Sequence, residues 1–553
     1  MTTRVLSKMR TSLLRTILCG ACVLFLIGIA EAQFGRGGAE WMTIGGDAQR
    51  SFWIPSDFKI FKAALEKPGF QFLWKLKLNN DAVQLNSLTP AVLMDRYIGY
   101  RGFRSLAFLG GSSNSLFAVD TDLVRTEWQS RPQLPGPPAG SPGCPGGLTA
   151  NMARPTSVEY PPSGASGGGL SGRGGPARSA VGEAGEGAVT IAAALAAAAP
   201  APNRTPNVRP PAVIYAVAGD GMLRTIYISN GQEPEPPIQF LPPNSNARGF
   251  IVFDDNVTST DPITSGRTRA YAATQSCNGA ASGIWTLDLS SRNVANWQPA
   301  TGAVAGSAGL AFGPDGTVYV TTTSGTLTAL DPKSLQVKQT YSAGSEFTTS
   351  PTVFPYKGKD LVAAATRDGR IHLLDGSSLV SKALFITPAY SSAGFEPGAL
   401  ATWQAVDGVR WLLAPASGPP GSGFSPGNGA VTNGAIVAWK VSDRDGVFSL
   451  DPGWISRDVL APLTPVIING VVFALSSGEF RSDDARLSAA ERARRSSPAV
   501  LYALDGATGK VLWDSAKTIT SFVHSGGLSG GASQVYLETY DEILYAFGFP
   551  IEH

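Results

Sequence analysis

The chain is patterned as short β runs, each closed by a polar turn. The clearest copy lies near the C-terminus: Leu501-Tyr502-Ala503-Leu504-Asp505-Gly506-Ala507-Thr508-Gly509-Lys510-Val511-Leu512-Trp513. An alternating apolar run meets Asp505, turns through Gly509, and resumes as a second run ending on Trp513. The period of two predicts strands. Asp suits the turn because its carboxylate accepts hydrogen bonds from nearby backbone N–H groups, and Gly accepts a positive φ. The closing Trp is a large apolar plug for packing between sheets.

The pattern recurs in weaker copies. Leu116–Asp120 runs on to Trp128, and Ile284–Asp288 to Trp297. Leu327–Asp331 and His372–Asp375 are two more, and Leu223–Gly231 carries Tyr227 in the Asp place. Ile436–Trp439 and Leu544–Phe547 bring the count to eight. A second element precedes many copies: a small or polar residue, then Pro, then a β run, as at Thr89-Pro90, Arg154-Pro155, Ser350-Pro351 and Thr464-Pro465. Proline is tolerated at a strand's start, so these mark where innermost strands begin. The tightest spacings, 43 residues from Asp288 to Asp331 and 44 from Asp331 to Asp375, match one four-stranded propeller blade. Phe72-Leu73-Trp74-Lys75-Leu76 reads as a last strand without a blade, and the C-terminal copy lacks a last strand. The expected fold is therefore an all-β, eight-bladed β-propeller over residues 70–553, closed by an N-terminal strand completing the C-terminal blade. Closure removes the edge strands that would otherwise aggregate, and a monomer is expected.

Composition narrows the function classes. The 64 Gly and 40 Pro are nearly a fifth of the 553 residues, against about 12% on average, which excludes a mainly helical chain. The 44 basic and 42 acidic residues balance to a net charge of +2, which argues against nucleic acid as a partner. Residues 1–32 have the form of a secretory signal: Arg4, Lys8, Arg10 and Arg15, an apolar run from Thr16 to Ala30, then Ala30-Glu31-Ala32. The run is short of the ~20 residues a span needs. Export to a bacterial-type periplasm or the extracellular space is expected, with no transmembrane span after cleavage. Residues 33–69 form an N-terminal lead-in. Cys19 and Cys22 fall within the signal, which leaves Cys144 and Cys277 as candidates for a disulfide in an oxidising compartment. Low-complexity Gly/Ala/Pro/Ser residues at 161–209 interrupt the second blade, and smaller insertions lie at 416–433 and 480–498. In the last, Ser482 is read as the N-cap of a surface helix ending on Arg492, Arg494 and Arg495.

The repeat around Leu501–Trp513 resembles that of the quinoprotein, or pyrroloquinoline-quinone-like (PQQ-like), β-propeller family. Trp41-Met42-Thr43-Ile44-Gly45-Gly46-Asp47 is similar to the start of that family. The resemblance implies, for its dehydrogenases, a quinone stacked between a Trp and an adjacent Cys-Cys disulfide ring. It also implies Ca²⁺ held by Glu, Asn and Asp, and an Asp base. This chain has no adjacent Cys pair, and the mature part lacks the Cys-x-x-Cys-His of a fused haem. Related propellers without enzymatic activity use the ring as a binding platform.

The expected function is thus a non-catalytic binding or scaffold module for a protein, glycan or small ligand, with no cofactor and no metal assigned. The alternative is a divergent PQQ-dependent dehydrogenase oxidising an alcohol or sugar, which would require PQQ and calcium. Catalytic residues cannot be assigned from the sequence. Polar or aromatic residues near the starts of innermost strands are candidates for a site around the channel: Arg154, Arg248, Glu396, Trp403 and His524, the last within His524-Ser525-Gly526-Gly527-Leu528-Ser529-Gly530-Gly531. Trp128, Trp297 and Trp513 are read as structural. Asp120, Asp288, Asp331, Asp375 and Asp505 are read as turn formers.

Overall fold

The computed structural model describes residues 40–550 apart from 100–101, 133–143, 159, 161–211, 254–267, 278, 380–381, 422, 425–426, 483, 485 and 525. The predicted signal and the low-complexity insertion at 161–209 lie outside the described residues.

Eight sheets make the eight blades of a β-propeller. Blade 1 comprises Val92–Gly99, Gly102–Gly110, Leu116–Asp120 and Arg125–Ser130, from the axis outward. Blade 2 has Val213–Val217, Met222–Tyr227 and Ile238–Gln239, and its inner edge is a single bridge from Ala153 to Tyr215. Blades 3 to 7 begin with the inner strands Asn246–Phe253, Ala311–Phe312, Thr352–Tyr356, Ala401–Gln404 and Val466–Ile468. In blade 8, Leu528–Gly531, Gln534–Glu538 and Ile543–Gly548 are completed on the outside by Gln71–Lys77, with Trp74 opposite Ala546. The chain's two ends therefore share one sheet.

The turn chemistry follows the repeat. Asp120 Oδ1 accepts the N–H groups of Asp122 and Leu123 at 3.1 and 3.0 Å, and Asp331 Oδ1 those of Lys333 and Ser334 at 3.0 and 2.8 Å. Trp128 donates its indole N–H to Ile228 O at 2.8 Å, which fastens blade 1 to blade 2. Strand Leu116–Asp120 is buried at every position, because both faces of a blade are covered by its neighbours. The apolar core lies in layers between successive blades, such as Leu361, Leu373, Leu412, Val437 and Trp439 between blades 5 and 6.

The lead-in does what no repeat can. Residues 41–57 form a strap that bonds to all eight blades in chain order, mostly at their inner strands. Trp41 O accepts from Leu93 N in blade 1 at 2.8 Å, and Met42 O from Arg154 N beside blade 2 at 2.9 Å. Thr43 Oγ1 donates to Phe250 O of blade 3 at 2.7 Å. Ala48, Gln49, Ser51 and Phe52 carbonyls accept from Phe312, Val353, Thr402 and Ile467 of blades 4 to 7 at 2.8–3.0 Å. Asp57 then receives the N–H and hydroxyl of Ser533 in blade 8 at 3.1 and 2.9 Å. The tight bend at Gly45-Gly46 needs positive φ, and a Cβ on Gly46 would stand 3.0 Å from the Trp41 ring. Arg50 is the hub. It is fully buried and gives its N–H groups to Leu310 O, Ile44 O, Gly249 O and Thr43 Oγ1 at 2.7–3.0 Å.

The insertion near 480–498 carries one correction. The helix is Ala489–Arg495, and its N-cap is Ser488, whose hydroxyl accepts from Glu491 N at 3.1 Å. Ser482 instead closes a turn with Asp484 N. The Ser-x-x-Glu box at 488–491 outcompetes the earlier serine because its acidic residue falls at the third helical position.

Candidate functional site

The strap crosses the channel beside the second residues of the inner strands, as at Leu93, Val353, Thr402 and Ile467. Just before those strands begin, neighbouring strands come together by backbone. A Cβ on Gly306 would lie 1.9 Å from Ser350 N, and Gly398 O accepts from both Ser307 N and Ser350 N at 3.0 and 2.9 Å. Charged side chains stand around this constricted mouth. Arg367 bridges Glu346 at 2.5 Å and Glu396 at 2.9 Å. Arg248 reaches Gly306 O at 3.4 Å. Burial lowers its guanidinium pKa while the charge of Glu396 opposes that shift.

His524 belongs to the same mouth. Its Nδ1–H donates to Glu479 Oε1 at 2.6 Å, and Arg481 Nε lies 3.2 Å from Glu479 Oε2. The Arg481 guanidinium also sits 5.5 Å from the centre of the Phe395 ring, next to Glu396 in the chain. Burial pushes the Glu479 carboxyl up, but His524 and Arg481 outweigh it and hold the pKa below its ordinary value. An ionised Glu479 fixes the imidazole tautomer. Nε2 of His524 has no partner among the described residues, and its side chain is 29% exposed.

A second acid stands nearby. Glu538 ends the second strand of blade 8 and is 3% exposed. Its Oε1 accepts from Ala91 N of blade 1 at 3.1 Å, while Oε2 has no partner. Burial raises this carboxyl to about 8, with only backbone hydrogen bonds acting against it.

Of the five residues proposed from sequence, His524, Arg248 and Glu396 meet at the mouth. Arg154 and Trp403 do not. Arg154 pairs with Glu40 at 2.9 Å and donates to Leu93 O at 3.0 Å, so it anchors the strap. Trp403 is stacked on Trp411 at 6.4 Å and packs over Gly470 and Gly506 between blades 6 and 7. It is the third residue of Ala401–Gln404, on the face that Ala401 also turns into the interblade core. The sequence reading missed Glu479, Arg481 and Glu538. The signal for Glu538 was slight: one carboxylate at the end of the apolar run Gln534-Val535-Tyr536-Leu537.

Cys144 and Cys277 stand with Cα atoms 5.3 Å apart and their sulfurs in bonding contact. The pair ties the loop before blade 2 to a loop of blade 3 on the face that carries the mouth.

The fold has solved counterparts. A quinohemoprotein alcohol dehydrogenase from Comamonas testosteroni superposes with a TM-score of 0.53 at 14% identity, over 93% of this chain and 82% of that one. The quinohemoprotein alcohol dehydrogenase ADHIIG from Pseudomonas putida HK5 gives 0.50 at 10% identity over the same shares. BamB from Moraxella catarrhalis gives 0.44 at 12%, over 88% and 99%. The likeness is one of fold. No family model and no curated protein sequence matches the chain.

The cofactor that the sequence resemblance implies can be tested against these residues. Pyrroloquinoline quinone with Ca²⁺ needs an aromatic floor and a converging set of oxygen ligands. Among the described residues no group of three His, Cys, Asp or Glu side chains could hold a metal. Trp403 is committed to the interblade core, Glu346, Glu396 and Glu479 are engaged by Arg367, Arg481 and His524, and Glu538 offers a single unpartnered oxygen. Among the described residues, those at the mouth do not fit the quinone–calcium group.

Proposed function

We propose that this protein is an exported propeller acting as a non-catalytic binding platform, which presents the mouth of its channel to a protein, glycan or small ligand. The observation that carries this reading is the mutual pairing of the mouth's charges, Glu346–Arg367–Glu396 and Arg481–Glu479–His524. Paired charges on a rigid frame make a surface of fixed shape and alternating sign, which suits recognition. Beside them the strap crosses the channel and ties the eight blades together, which holds this face in one shape. The signal-like leader and the oxidising chemistry of a Cys144–Cys277 pair support an exported location.

A divergent quinone-dependent dehydrogenase is the second reading, favoured by the shared fold with the quinohemoprotein enzymes. It asks for ligands that the mouth does not offer.

Site-specific photo-crosslinking in the native host tests the platform. A photoreactive residue at Glu396 or Arg481 should yield one discrete crosslinked species. The same probe at Val337 or Val511, on exposed outermost strands, should yield none. Crosslinks from the outer strands with silence at the mouth would overturn the assignment.

A further inference from the structure

The mouth face also carries cations that its paired network does not use. Alternate strands of a blade run in opposite directions, so three segments meet on this face around blade 7. One follows the outermost strand of blade 6 and carries Arg457. One precedes that blade's innermost strand and carries Phe395. The third is the insertion between the second and third strands of blade 7, with Phe480, Arg481 and Arg495. Hydrogen bonds draw them together. Leu460 N donates to Ser476 Oγ at 3.0 Å, Phe480 N to Ser496 Oγ at 2.9 Å, and Ser497 N to Gly478 O at 2.8 Å.

Three exposed guanidinium groups here rest on aromatic rings. Arg495 lies 3.8 Å from the centre of the Phe480 ring, Arg457 4.8 Å from that of Tyr502, and Arg481 5.5 Å from that of Phe395. A guanidinium stacks well on a ring, and a stacked one directs its N–H groups outward in its own plane. Arg481 commits its Nε to Glu479. Arg457 and Arg495 have no hydrogen bond or ion pair among the described residues.

The neighbouring acids are already occupied. Asp458 accepts from Thr432 N and Asn433 N at 2.8 and 2.7 Å, Asp514 accepts from Ala516 N at 2.9 Å, and Glu491 is held by Arg494. Two positioned cations are therefore left unmatched at the rim of the mouth.

We infer, resting on the platform reading above, that this rim docks an acidic peptide segment of a partner protein, whose Asp or Glu carboxylates are received by Arg457 and Arg495. A planar carboxylate matches the guanidinium fork with two parallel hydrogen bonds. The ring beneath each fork holds it in place, so less freedom is lost on binding. The chain's own acids decide between acidic partners. Glu479, Asp484 and Glu491 alternate with the arginines of the insertion. They repel a dense polyanion such as a sulfated glycan, while discrete carboxylates fit between them.

The test uses the full mature chain and a fluorescein-labelled peptide of alternating Glu and Ser, with the Gln–Ser peptide carrying the same label as reference. Fluorescence anisotropy at low salt should show saturable binding of the Glu peptide and none of the Gln peptide. Arg457→Gln with Arg495→Gln should weaken binding about tenfold or more. Arg457→Lys with Arg495→Lys keeps the charge but removes the fork, and should weaken it about threefold or more. Arg486 belongs to the same insertion, is almost fully exposed and has no ring contact among the described residues. Arg486→Gln should therefore stay within about twofold of wild type. Unchanged urea unfolding would show that each variant keeps its fold. Absence of saturable binding, an equal loss in Arg486→Gln, or full retention in the lysine variant would overturn the inference. A heparin oligosaccharide that binds more tightly through the same two arginines would overturn the peptide and assign a sulfated glycan. Mouth crosslinks without peptide binding would remove this rim alone. Peptide binding with silence at the mouth would count against the platform alone.

Discussion

The strap and the mouth handle their charges by opposite rules. In the strap the charge is met by uncharged groups: Arg50 is completely buried and donates to Ile44 O and Thr43 Oγ1 of the strap and to Gly249 O and Leu310 O beside blades 3 and 4. At the mouth, Glu346, Glu396 and Glu479 pair side chain to side chain, and among the described residues an imidazole nitrogen and one buried carboxyl oxygen have no partner. The first arrangement locks a ring. On the platform reading proposed above, the second presents recognition chemistry on the frame that the first holds together, and substitutions in the strap and at the mouth should separate stability from binding.

The largest effect is expected at the lock. Arg50→Met leaves three buried carbonyls without donors and should cost about 4 kcal/mol or more. Urea unfolding, or loss of soluble protein, would show it, and a near-neutral result would mean that the strap is ornament. At the mouth the sign reverses. Glu538→Gln should stabilise the fold by on the order of 2 kcal/mol near pH 8. The carboxyl is raised to about 8 from an ordinary 4.5, so between those values the folded state holds a proton the unfolded chain has released. Wild-type stability therefore falls as pH rises from about 4.5 to 8 and is flat above. The variant's advantage should vanish below pH 4.5, and an advantage unchanged with pH would contradict the assignment. His524→Ala should cost under about 1 kcal/mol, since Arg481 still pairs Glu479, while removing any binding at the mouth. Unaltered binding would exclude His524 from the platform. Arg494→Ala, on the exposed face of the short helix, should change urea stability by no more than about 0.3 kcal/mol.

The repeat was legible because each blade is a local unit. The Asp turn, the Pro before an inner strand and the closing Trp act over a few residues, so Asp505, Thr464-Pro465 and Trp513 announce their places. Even the pairing of Trp74's strand with the C-terminal blade could be reached by counting strands. The strap could not. Trp41-Met42-Thr43-Ile44-Gly45-Gly46-Asp47 looks like a family signature, but its meaning lies in bonds to carbonyls and amides hundreds of residues away. Arg154 and Trp403 went astray for a related reason. Proximity to a strand's start does not say which face a side chain takes, and a shift of one residue exchanges channel for core. Glu538 was invisible because its burial comes from blade 1, at the other end of the chain.

The central claim is that the mouth recognises a partner rather than serving quinone redox chemistry. Equilibrium binding of pyrroloquinoline quinone with Ca²⁺ to the purified mature protein, followed by dye-linked alcohol oxidation in the same sample, tests it most directly. The account predicts no stoichiometric quinone binding and no dye reduction above the protein-free control. Tight one-to-one binding with alcohol-dependent dye reduction would contradict it.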